Sequence, residues 1–336
     1  MNYGSLSDLG QNMMLRRQGA GLKTSLSTLT TELTTGRREN VSDYVRGDFG
    51  PLAALERSVK RLDGFALGRD ALSLRVTGVQ TSLGAMQDTV ATFGTDLIGA
   101  ASLEQPGVLD AKLANAPERF NQVVSYLNAQ VSGQYLFSGV ASDRKPLPDG
   151  AELLTHIRNI AMTATDASDF VTQVNSWFDD SGGGFDTLAY NGAAQAQSGV
   201  AISEAHTIGL PVKADDGAIR SMLRDLAIAA VVSEGTLPMS DMEKRAVLSS
   251  VGEGLIASEQ ALISMRRDTG VTEQLLSEAD VAGRVERGLL DGAISKITSA
   301  DPYETASALE AVQHQIETLY VLTARTSQLR LSDYLR

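Results

Sequence analysis

The chain has 336 residues, no cysteine and a formal net charge of −12. Without cysteine it can have no disulfide, no thiolate metal site and no cysteine nucleophile. A negative chain without a basic cluster argues against a nucleic-acid partner, and the longest apolar run, roughly residues 226–232, is too short to span a bilayer. The start of the chain also lacks the pattern of a Sec signal, because Arg16 and Arg17 follow the small apolar patch at residues 13–15. We therefore expect no membrane partner and no cleaved signal peptide.

Leucine-rich stripes mark both ends of the chain. Spacings of three, four and seven residues place such side chains on one face of a helix, and that face needs a partner helix. We predict that the two terminal arms are helical, pair with each other and carry self-assembly. The predicted assembly residues are Leu15, Leu22, Leu26, Leu29 and Leu33 in the N-terminal arm and Leu309, Val312, Ile316 and Leu319 in the C-terminal arm.

The N-terminal arm combines this stripe with poor helix formers. Serine and threonine fill most positions between Leu22 and Leu33, and Gly19 and Gly21 interrupt the stripe. A glycine inside a helix costs about 1 kcal/mol relative to alanine, and a threonine about half as much. We predict that the arms are frayed in the monomer and become ordered when assembly buries the stripe.

The next segment has the clearest helical pattern. Proline is absent before Pro51 and again between Pro238 and Pro302, which permits long helices in both regions. Apolar residues recur in steps of four and three over residues 72–97, and this predicts a helix over about residues 51–99 with Pro51 in its first turn. The predicted core positions of this helical rod are Leu72, Val76, Val79, Leu83, Met86, Val90, Phe93 and Leu97.

Shorter elements follow in the middle of the chain. The pattern predicts a third helix over residues 108–132, kinked at Pro117, and then a strand over residues 133–139 between glycine turns. Residues 140–239 mix helix and strand signals, and we interpret them as an α+β insertion. Its predicted elements are helices at 151–159 and 167–178, strands at 185–190, 198–204 and 207–212, and a helix capped by Asp215 and Asp216.

Helical periodicity returns near residue 240. Ser240 and Glu243 have the spacing of a capping box, in which each side chain bonds the backbone N–H of the other residue. Asp301 and Pro302 form a second start signal, a capping side chain followed by proline at the first helical position. We predict a helical stretch after Ser240 that weakens near residue 270, and a last helix that carries the C-terminal stripe.

Together these elements predict a mainly α fold with an α+β insertion. The N- and C-terminal segments would form a long antiparallel coiled-coil rod, with a β-hairpin and a small outer α+β domain. Residues 1–40 with 299–336 would be the terminal arms, residues 41–139 with 240–298 the helical rod, and residues 140–239 the outer domain.

No group of residues has the pattern of an active site, a cofactor site or a metal site. His156, His206 and His314 lie in different segments, and none has a second ligand at a metal-binding spacing. The acidic residues around the glycines at 182–184 lack the spacing of a calcium loop, and we interpret this stretch as a mobile acidic turn. We predict a structural protein and not an enzyme, with no cofactor and no metal.

Four stretches resemble the flagellin superfamily. The predicted first helix ends in Leu33-Thr34-Thr35-Gly36-Arg37-Arg38, similar to the leucine, Ser/Thr-Gly-basic ending of that family. The other stretches are Tyr135-Leu136-Phe137-Ser138-Gly139, the predicted hairpins from Asn191-Gly192 to Asp215, and the terminus from Asp301-Pro302-Tyr303 to Leu331-Ser332-Asp333-Tyr334-Leu335. The resemblance covers nearly the whole chain, and the order of the stretches is more specific than any one of them.

The resemblance implies a structural subunit of the bacterial flagellum that polymerises at the hook–filament junction. Its partners would be further copies of the chain, the first hook-associated protein, flagellin, and an export chaperone that holds the C-terminal region at residues 312–331. It would leave the cell through the flagellar type III apparatus and be extracellular. The arms would form an inner tube, the rod with the 133–139 strand a middle layer, and the insertion an outward domain.

Two other interpretations remain open at this point. The chain could be filament flagellin itself, which is abundant where a junction protein is scarce. It could also be a cytoplasmic coiled-coil scaffold, which would need neither export nor a ring of subunits.

Overall fold

The computed structural model describes the backbone of residues 3–103 and 107–334, and the side chains within residues 13–103 and 107–325. The fold is mainly α with two small antiparallel hairpins, which confirms the predicted fold class. The helices are α1 (Tyr3–Thr35), α2 (Val41–Tyr44), α3 (Gly50–Ser102), α4 (Val108–Leu113), α5 (Ala116–Leu127), α6 (Gly150–Thr163), α7 (Ala167–Asp179), α8 (Gly217–Ser233), α9 (Asp241–Thr298) and α10 (Pro302–Tyr334). The strands are β1 (Gln130–Val131), β2 (Gln134–Tyr135), β3 (Val200–Ala201) and β4 (Thr207–Ile208), and a π-helix covers Phe185–Ala189.

None of the described helices combines the length and the apolar composition needed to cross a membrane.

The chain divides into two compact units. The terminal unit consists of Met1–Arg61 and Arg284–Arg336, and the central unit consists of Leu62–Gly283. Helices α3 and α9 each contribute to both units. The three-part division made from the sequence stays a prediction, because the central unit contains most of the predicted rod together with the predicted outer domain.

Within the central unit, α3 and α9 pack antiparallel through small residues. A Cβ atom at Gly94 would lie 2.8 Å from the carbonyl oxygen of Gly252, and a Cβ at Gly252 would lie 2.7 Å from the carbonyl oxygen of Gly94. Further along the pair, the Gln80 amide donates to the Arg266 carbonyl at 2.7 Å, and the Arg266 guanidinium donates to Gln87 at 2.6 Å. The two backbones therefore approach closely where neither residue carries a side chain.

The core of the central unit surrounds α8, which contacts α4, α5, α6 and α7. Nearly every side chain from Met222 to Val232 is buried. Phenylalanines from the neighbouring elements fill the space around it, namely Phe93, Phe120, Phe137, Phe170, Phe178 and Phe185. All eight positions assigned to the rod core, spaced by three and four residues from Leu72 to Leu97, are buried on the inner face of α3.

The single helix predicted over residues 108–132 is wrong. The chain forms α4 and α5 instead, separated at Ala114 and Asn115, and Pro117 lies in the first turn of α5. The first N–H groups of a helix have no partner within it, so proline is favoured there. Pro117 therefore begins a helix and does not kink one.

The predicted strands are mostly too long. The strand predicted over residues 133–139 is a hairpin of β1 and β2, because Ser132 and Gly133 adopt φ angles of 51° and 75° and reverse the chain. Phe137 and Ser138, which follow the hairpin, are fully buried. The strands predicted over 198–204 and 207–212 reduce to the two-residue pair β3 and β4.

The strand predicted over residues 185–190 is wrong, because the segment forms a π-helix. Phe185 is fully buried, and its ring centroid lies 6.3 Å from that of Trp177, 5.6 Å from Phe178 and 6.5 Å from Tyr190. The apolar residues of this segment thus meet an aromatic cluster, and tertiary packing overrides their strand propensity.

Two of the predicted helix starts are confirmed. At α9, the Glu243 carboxylate accepts from the Ser240 backbone N–H at 2.8 Å, and the Ser240 hydroxyl accepts from the Glu243 N–H at 3.3 Å. At α10, the Asp301 carboxylate accepts from the N–H groups of Tyr303 and Glu304 at 2.9 and 3.2 Å.

The predicted cap of α8 is wrong. Asp216 lies at the N-cap position, but its carboxylate makes no bond to an N–H of α8 and accepts from the backbone N–H of Lys213 at 2.9 Å. Asp215 pairs with the Lys213 ammonium at 3.1 Å. Both carboxylates therefore stabilise the turn before the helix.

Candidate assembly surface on the terminal helices

Backbone hydrogen bonds join the segment after the C-terminal end of α1 to the segment before the N-terminal end of α10. We call this junction the base of the two arms. The N–H of Arg38 donates to the Thr298 carbonyl at 2.8 Å, and the N–H of Ala300 donates to the Gly36 carbonyl at 3.0 Å. Gly36 has a φ of 68°, a conformation that glycine adopts without strain and that ends α1. These bonds set the register between the two arms.

From this base, α1 and α10 run antiparallel and in contact. Halfway along, a Cβ at Gly19 would lie 3.1 Å from a methyl carbon of Leu319, so the missing side chain lets the leucine approach the α1 backbone. We call the line of contact between α1 and α10 the seam. Eight of the nine predicted assembly residues are half-buried along it, and Leu33 is 39% exposed. The structure therefore brings the two stripes together but does not bury them fully.

The described part of the terminal unit has almost no buried interior of its own. Among its described side chains, the buried ones are Leu52, Ala300 and Thr305. Large apolar side chains remain exposed on both arms, including Met13 (64%), Met14 (62%), Tyr320 (57%) and Val321 (53%). A helix pair with a half-buried seam and exposed apolar flanks has further area to bury against a partner.

A groove of about 630 Å³ opens along the seam. Its lining mixes apolar and small polar side chains, and among these lining residues His314 has a titratable side chain. The lining residues are Gln18, Gly21, Leu22, His314, Gln315, Thr318, Leu319 and Leu322. The mixture of apolar and small polar side chains is suited to contact with a segment of another protein chain.

Several threonine hydroxyls on the arms are already satisfied within their own helix. Thr24, Thr30 and Thr31 of α1 and Thr318 of α10 each donate to the carbonyl four residues earlier, at 2.7 to 3.1 Å. Burying an unpaired hydroxyl costs free energy, and these bonds reduce that cost. The threonine-rich face can therefore be covered by a partner with little loss of hydrogen bonding.

The residues considered for metal binding lie apart. His156 stacks on Trp177 with ring centroids 6.0 Å apart, His206 contacts the Ser203 hydroxyl at 3.3 Å, and His314 lies 3.4 Å from Glu317. Among the described residues, no three potential ligands come close enough to hold a metal ion.

The acidic turn around residues 182–184 has defined partners. Asp186 accepts from the Gly182 N–H at 3.0 Å and pairs with Arg220 of α8. Asp179 pairs with Arg224 at 2.7 Å. These contacts occupy the carboxylates of Asp179 and Asp186, and they attach the turn to α8.

The central unit contains a buried charge within α8. Asp225 of α8 is 4% exposed, and one carboxylate oxygen accepts from the Arg224 side chain at 3.0 Å. The other oxygen is buried against Gly254 of α9, where a Cβ would lie 2.1 Å away, and no described residue forms a hydrogen bond with it. Burial raises the pKa of Asp225 to about 6, although Arg224 opposes this. The signal in the sequence was an acid inside the apolar stretch at 222–232.

Arg69 of α3 is a second buried charge, at 5% exposure. Its guanidinium donates to the Ile202 carbonyl next to β3 at 2.9 Å and lies 3.6 Å from Asp280 of α9. Arg69 therefore links the β3–β4 hairpin to both long helices. The isolated sequence offers no sign of this role, because the three partners are far apart in the chain.

No known protein family and no curated protein matches this sequence. Solved structures do match the fold. A putative flagellar hook-associated protein from Vibrio parahaemolyticus aligns over 73% of this chain and 95% of its own, with a TM-score of 0.52 and 15% identity. FlgL from Bacillus cereus aligns over 69% of this chain and 98% of its own, with a TM-score of 0.41 and 13% identity. The first of these matches shows that this chain shares the fold of a putative flagellar hook-associated protein.

Proposed function

We propose that this protein is the third hook-associated protein of a bacterial flagellum, a structural subunit that polymerises at the hook–filament junction. The main observation that supports this proposal is the incomplete burial of the seam between α1 and α10. The fold shared with a flagellar hook-associated protein supports the flagellar context. The role is that of a connector, and it involves no chemical step.

The energetics of the seam favour assembly. Full burial of a leucine-sized side chain stabilises by about 1.5–3 kcal/mol, so each half-buried position leaves roughly half of that to be gained. Eight such positions lie along one pair of helices, beside exposed methionine, tyrosine and valine side chains. Packing the arms of neighbouring copies side by side would recover this free energy and produce a continuous layer.

The proposed partners follow from the position at the junction. One end of the assembly would contact the first hook-associated protein, and the other would contact the flagellin filament. Before export through the type III apparatus, the same apolar surface would invite aggregation, so a chaperone would cover the C-terminal arm at residues 312–331. The part of that segment beyond residue 325 lies outside the described side chains.

Replacement of Ile316 and Leu319 by aspartate tests the role of the arms. Both side chains lie half-buried in the seam, and two added carboxylates there cannot be desolvated without a large cost. We expect the double variant to abolish incorporation into flagella and motility while the central unit stays folded. Near-ultraviolet circular dichroism reports on that unit, because Trp177, the one tryptophan of the chain, lies in α7.

The matched control places two carboxylates at exposed positions of the same helix. Ser307 and Ala311 are exposed on α10, and Ser307→Asp with Ala311→Asp is expected to keep the α1–α10 pair. Normal motility of the Ile316→Asp, Leu319→Asp variant would refute the role of the seam.

A deletion strain separates the junction protein from its alternatives. If the protein connects hook to filament, the strain should keep intact hooks and shed unpolymerised flagellin into the medium. Loss of the flagellin signal itself would identify the chain as the filament protein. Unchanged filaments, with the protein found only in cytosol, would identify a scaffold without a flagellar role.

A further inference from the structure

The central unit exposes an apolar stripe on α3 that its own core does not use. Leu67 and Leu74 are 72% and 53% exposed, and Ala71 between them is exposed as well. Positions 67, 71 and 74 have the four-and-three spacing of a helix face that packs against another helix. The buried face of α3 uses other positions, Leu72, Val76 and Val79 among them.

A half-buried cation, Arg75, borders this stripe. Arg75 follows Leu74 directly and is half-buried, and its pKa is lowered by burial, with no acidic group to offset it. Among the described residues, no side chain forms a hydrogen bond or ion pair with its guanidinium. A partly desolvated guanidinium without an acceptor is unfavourable, and an external carboxylate would relieve this.

Two hairpins limit the space around Arg75. A Cβ at Gly68 would lie 3.0 Å from Val200 of β3, and a Cβ at Gly78 would lie 2.8 Å from Val131 of β1. The hairpins thus cover α3 on either side of Arg75 along the helix. They leave the leucine stripe open between them.

Helix α9 exposes a second apolar stripe, and this one contains an acidic residue. Val271, Leu275 and Val281 are 54%, 43% and 52% exposed. Glu278 lies on the same face, and its carboxylate accepts from the neutral Gln274 amide at 2.9 Å, with no cation paired to it in the described part of the chain. Positions 271, 275 and 278 repeat the spacing of 67, 71 and 74. The third position on α9 is the acid Glu278, and the third position on α3 is Leu74, which the cation Arg75 follows directly.

We propose that the α3 stripe of one copy docks on the α9 stripe of a second copy, with Arg75 paired to Glu278 across the contact. The two faces match in spacing and in apolar content, and Arg75 beside one face is opposite in charge to Glu278 on the other. A contact between two different faces of the same chain can repeat from copy to copy, and this is what a ring or helical array requires. The inference rests on the proposed self-assembly, but it concerns the central unit and not the arms.

Specific charge pairing also suits a chain of this composition. With a formal net charge of −12, copies repel each other at long range. An Arg–Glu pair within an apolar contact selects one orientation and rejects others by placing like charges together.

Cysteine cross-linking tests the contact directly, because the chain has no cysteine of its own. Leu74→Cys protein is mixed with Val271→Cys, Leu275→Cys or Val281→Cys protein under assembling conditions and oxidised with copper phenanthroline. We expect a disulfide-linked dimer in at least one mixture and much less in each variant alone, since a disulfide needs Cα atoms within about 7 Å. Glu273→Cys, exposed on another face of α9, is the matched control. Equal cross-linking of the control, or none in any mixture, would overturn the proposal.

Charge reversal gives an independent test. Arg75→Glu and Glu278→Arg are each expected to raise the protein concentration needed for assembly roughly tenfold, and the double variant should restore it. Glu273→Arg should have no such effect. Additive losses in the double variant would overturn the proposal, and Arg75→Gln provides a second variant if Arg75→Glu alters the near-ultraviolet signal of Trp177.

Failure of this inference is distinguishable from failure of the proposed function. If assembly requires Ile316 and Leu319 but ignores both charge reversals and all cysteine pairs, the arms assemble the protein and the α3–α9 contact does not exist. If the wild-type chain does not assemble at all, the proposed function itself fails.

Discussion

The central and terminal units differ in how completely they bury their apolar side chains. The central unit surrounds α8 with six fully or almost fully buried phenylalanines and a nearly continuous buried stretch from Met222 to Val232. The terminal unit pairs two long helices along a half-buried seam, and three of its described side chains are buried. Both units contain well-formed heptad stripes, so the stripe alone does not decide how much area is buried.

The difference lies in the number of elements that meet a stripe. The α3 stripe from Leu72 to Leu97 is covered by several other elements, and each residue is buried. In the described part of the chain, the α1 stripe packs mainly against α10, and a single helix covers only part of another helix's apolar face. A stripe that its own chain leaves half-covered is the physical basis for assigning assembly to the terminal unit.

The largest expected effect tests the central unit at the α3–α9 contact. In Gly94→Leu, the new side chain would meet the Gly252 backbone, since even a Cβ would lie 2.8 Å from its carbonyl oxygen. The helices must separate, and we expect the free energy of unfolding of the central unit to fall by about 3 kcal/mol or more. Urea unfolding followed by Trp177 fluorescence measures this.

The control for Gly94→Leu lies five residues further on in α3. Gly99 is exposed, and no atom lies within 4 Å of the position that its Cβ would occupy. Gly99→Leu should therefore unfold at the wild-type urea concentration or slightly above it. Equal destabilisation by both variants would mean that the contact between Gly94 and Gly252 does not limit the stability of the central unit.

An intermediate effect is expected from the pH dependence of the central unit. Burial raises the pKa of Asp225 from 3.8 to about 6, so between these values the native state binds more protons than the unfolded state. The contribution of Asp225 to stability is thus fully present below about pH 4 and is lost as the pH rises through 6. The loss amounts to about 2–3 kcal/mol.

Replacement of Asp225 by asparagine isolates this contribution. The other carboxylates, including Asp169 and Glu243 with their lowered pKa values, contribute equally to variant and wild type. We expect Asp225→Asn to gain about 2–3 kcal/mol relative to wild type between pH 4 and pH 7, measured by urea unfolding at each pH. A difference independent of pH would show that Asp225 is ionised at its ordinary pKa in the native protein.

The smallest expected effect concerns the N-terminal arm. No atom lies within 4 Å of a Cβ at Gly21, and Gly21→Ala should stabilise α1 by about 1 kcal/mol. Gly19→Ala should gain less, because its Cβ would lie 3.1 Å from Leu319. Far-ultraviolet circular dichroism and limited proteolysis of the dilute monomer measure both. A monomer that is already fully helical, with protease-resistant ends, would contradict the prediction that the arms order on assembly.

Local signals in the sequence located the long helices well. The three-and-four spacing identifies α3 over 51–99, against Gly50–Ser102 in the structure, and the capping residues Ser240 and Asp301 mark the starts of α9 and α10. These features depend on neighbours within one or two helical turns. They are therefore readable from the sequence alone.

Features that depend on distant residues were missed or misassigned. Phe185–Ala189 has apolar residues typical of a strand, yet an aromatic cluster with Trp177 and Phe178 makes it a π-helix. Asp215 and Asp216 precede a helix, yet Lys213 attracts both carboxylates to the turn. In each case the local structure depends on a contact that the spacing of apolar residues in the sequence does not indicate.

By itself, the sequence determined the mainly helical fold, the positions of the apolar stripes and the start of the last two helices, because these follow from spacing and local hydrogen bonding. Only the tertiary structure decided which stripes are covered. It shows the α3 core stripe buried, the α1–α10 seam half-covered and the stripes beside Arg75 and around Glu278 open. Burial depends on how many elements converge on a helix face, and that number is a property of the folded chain.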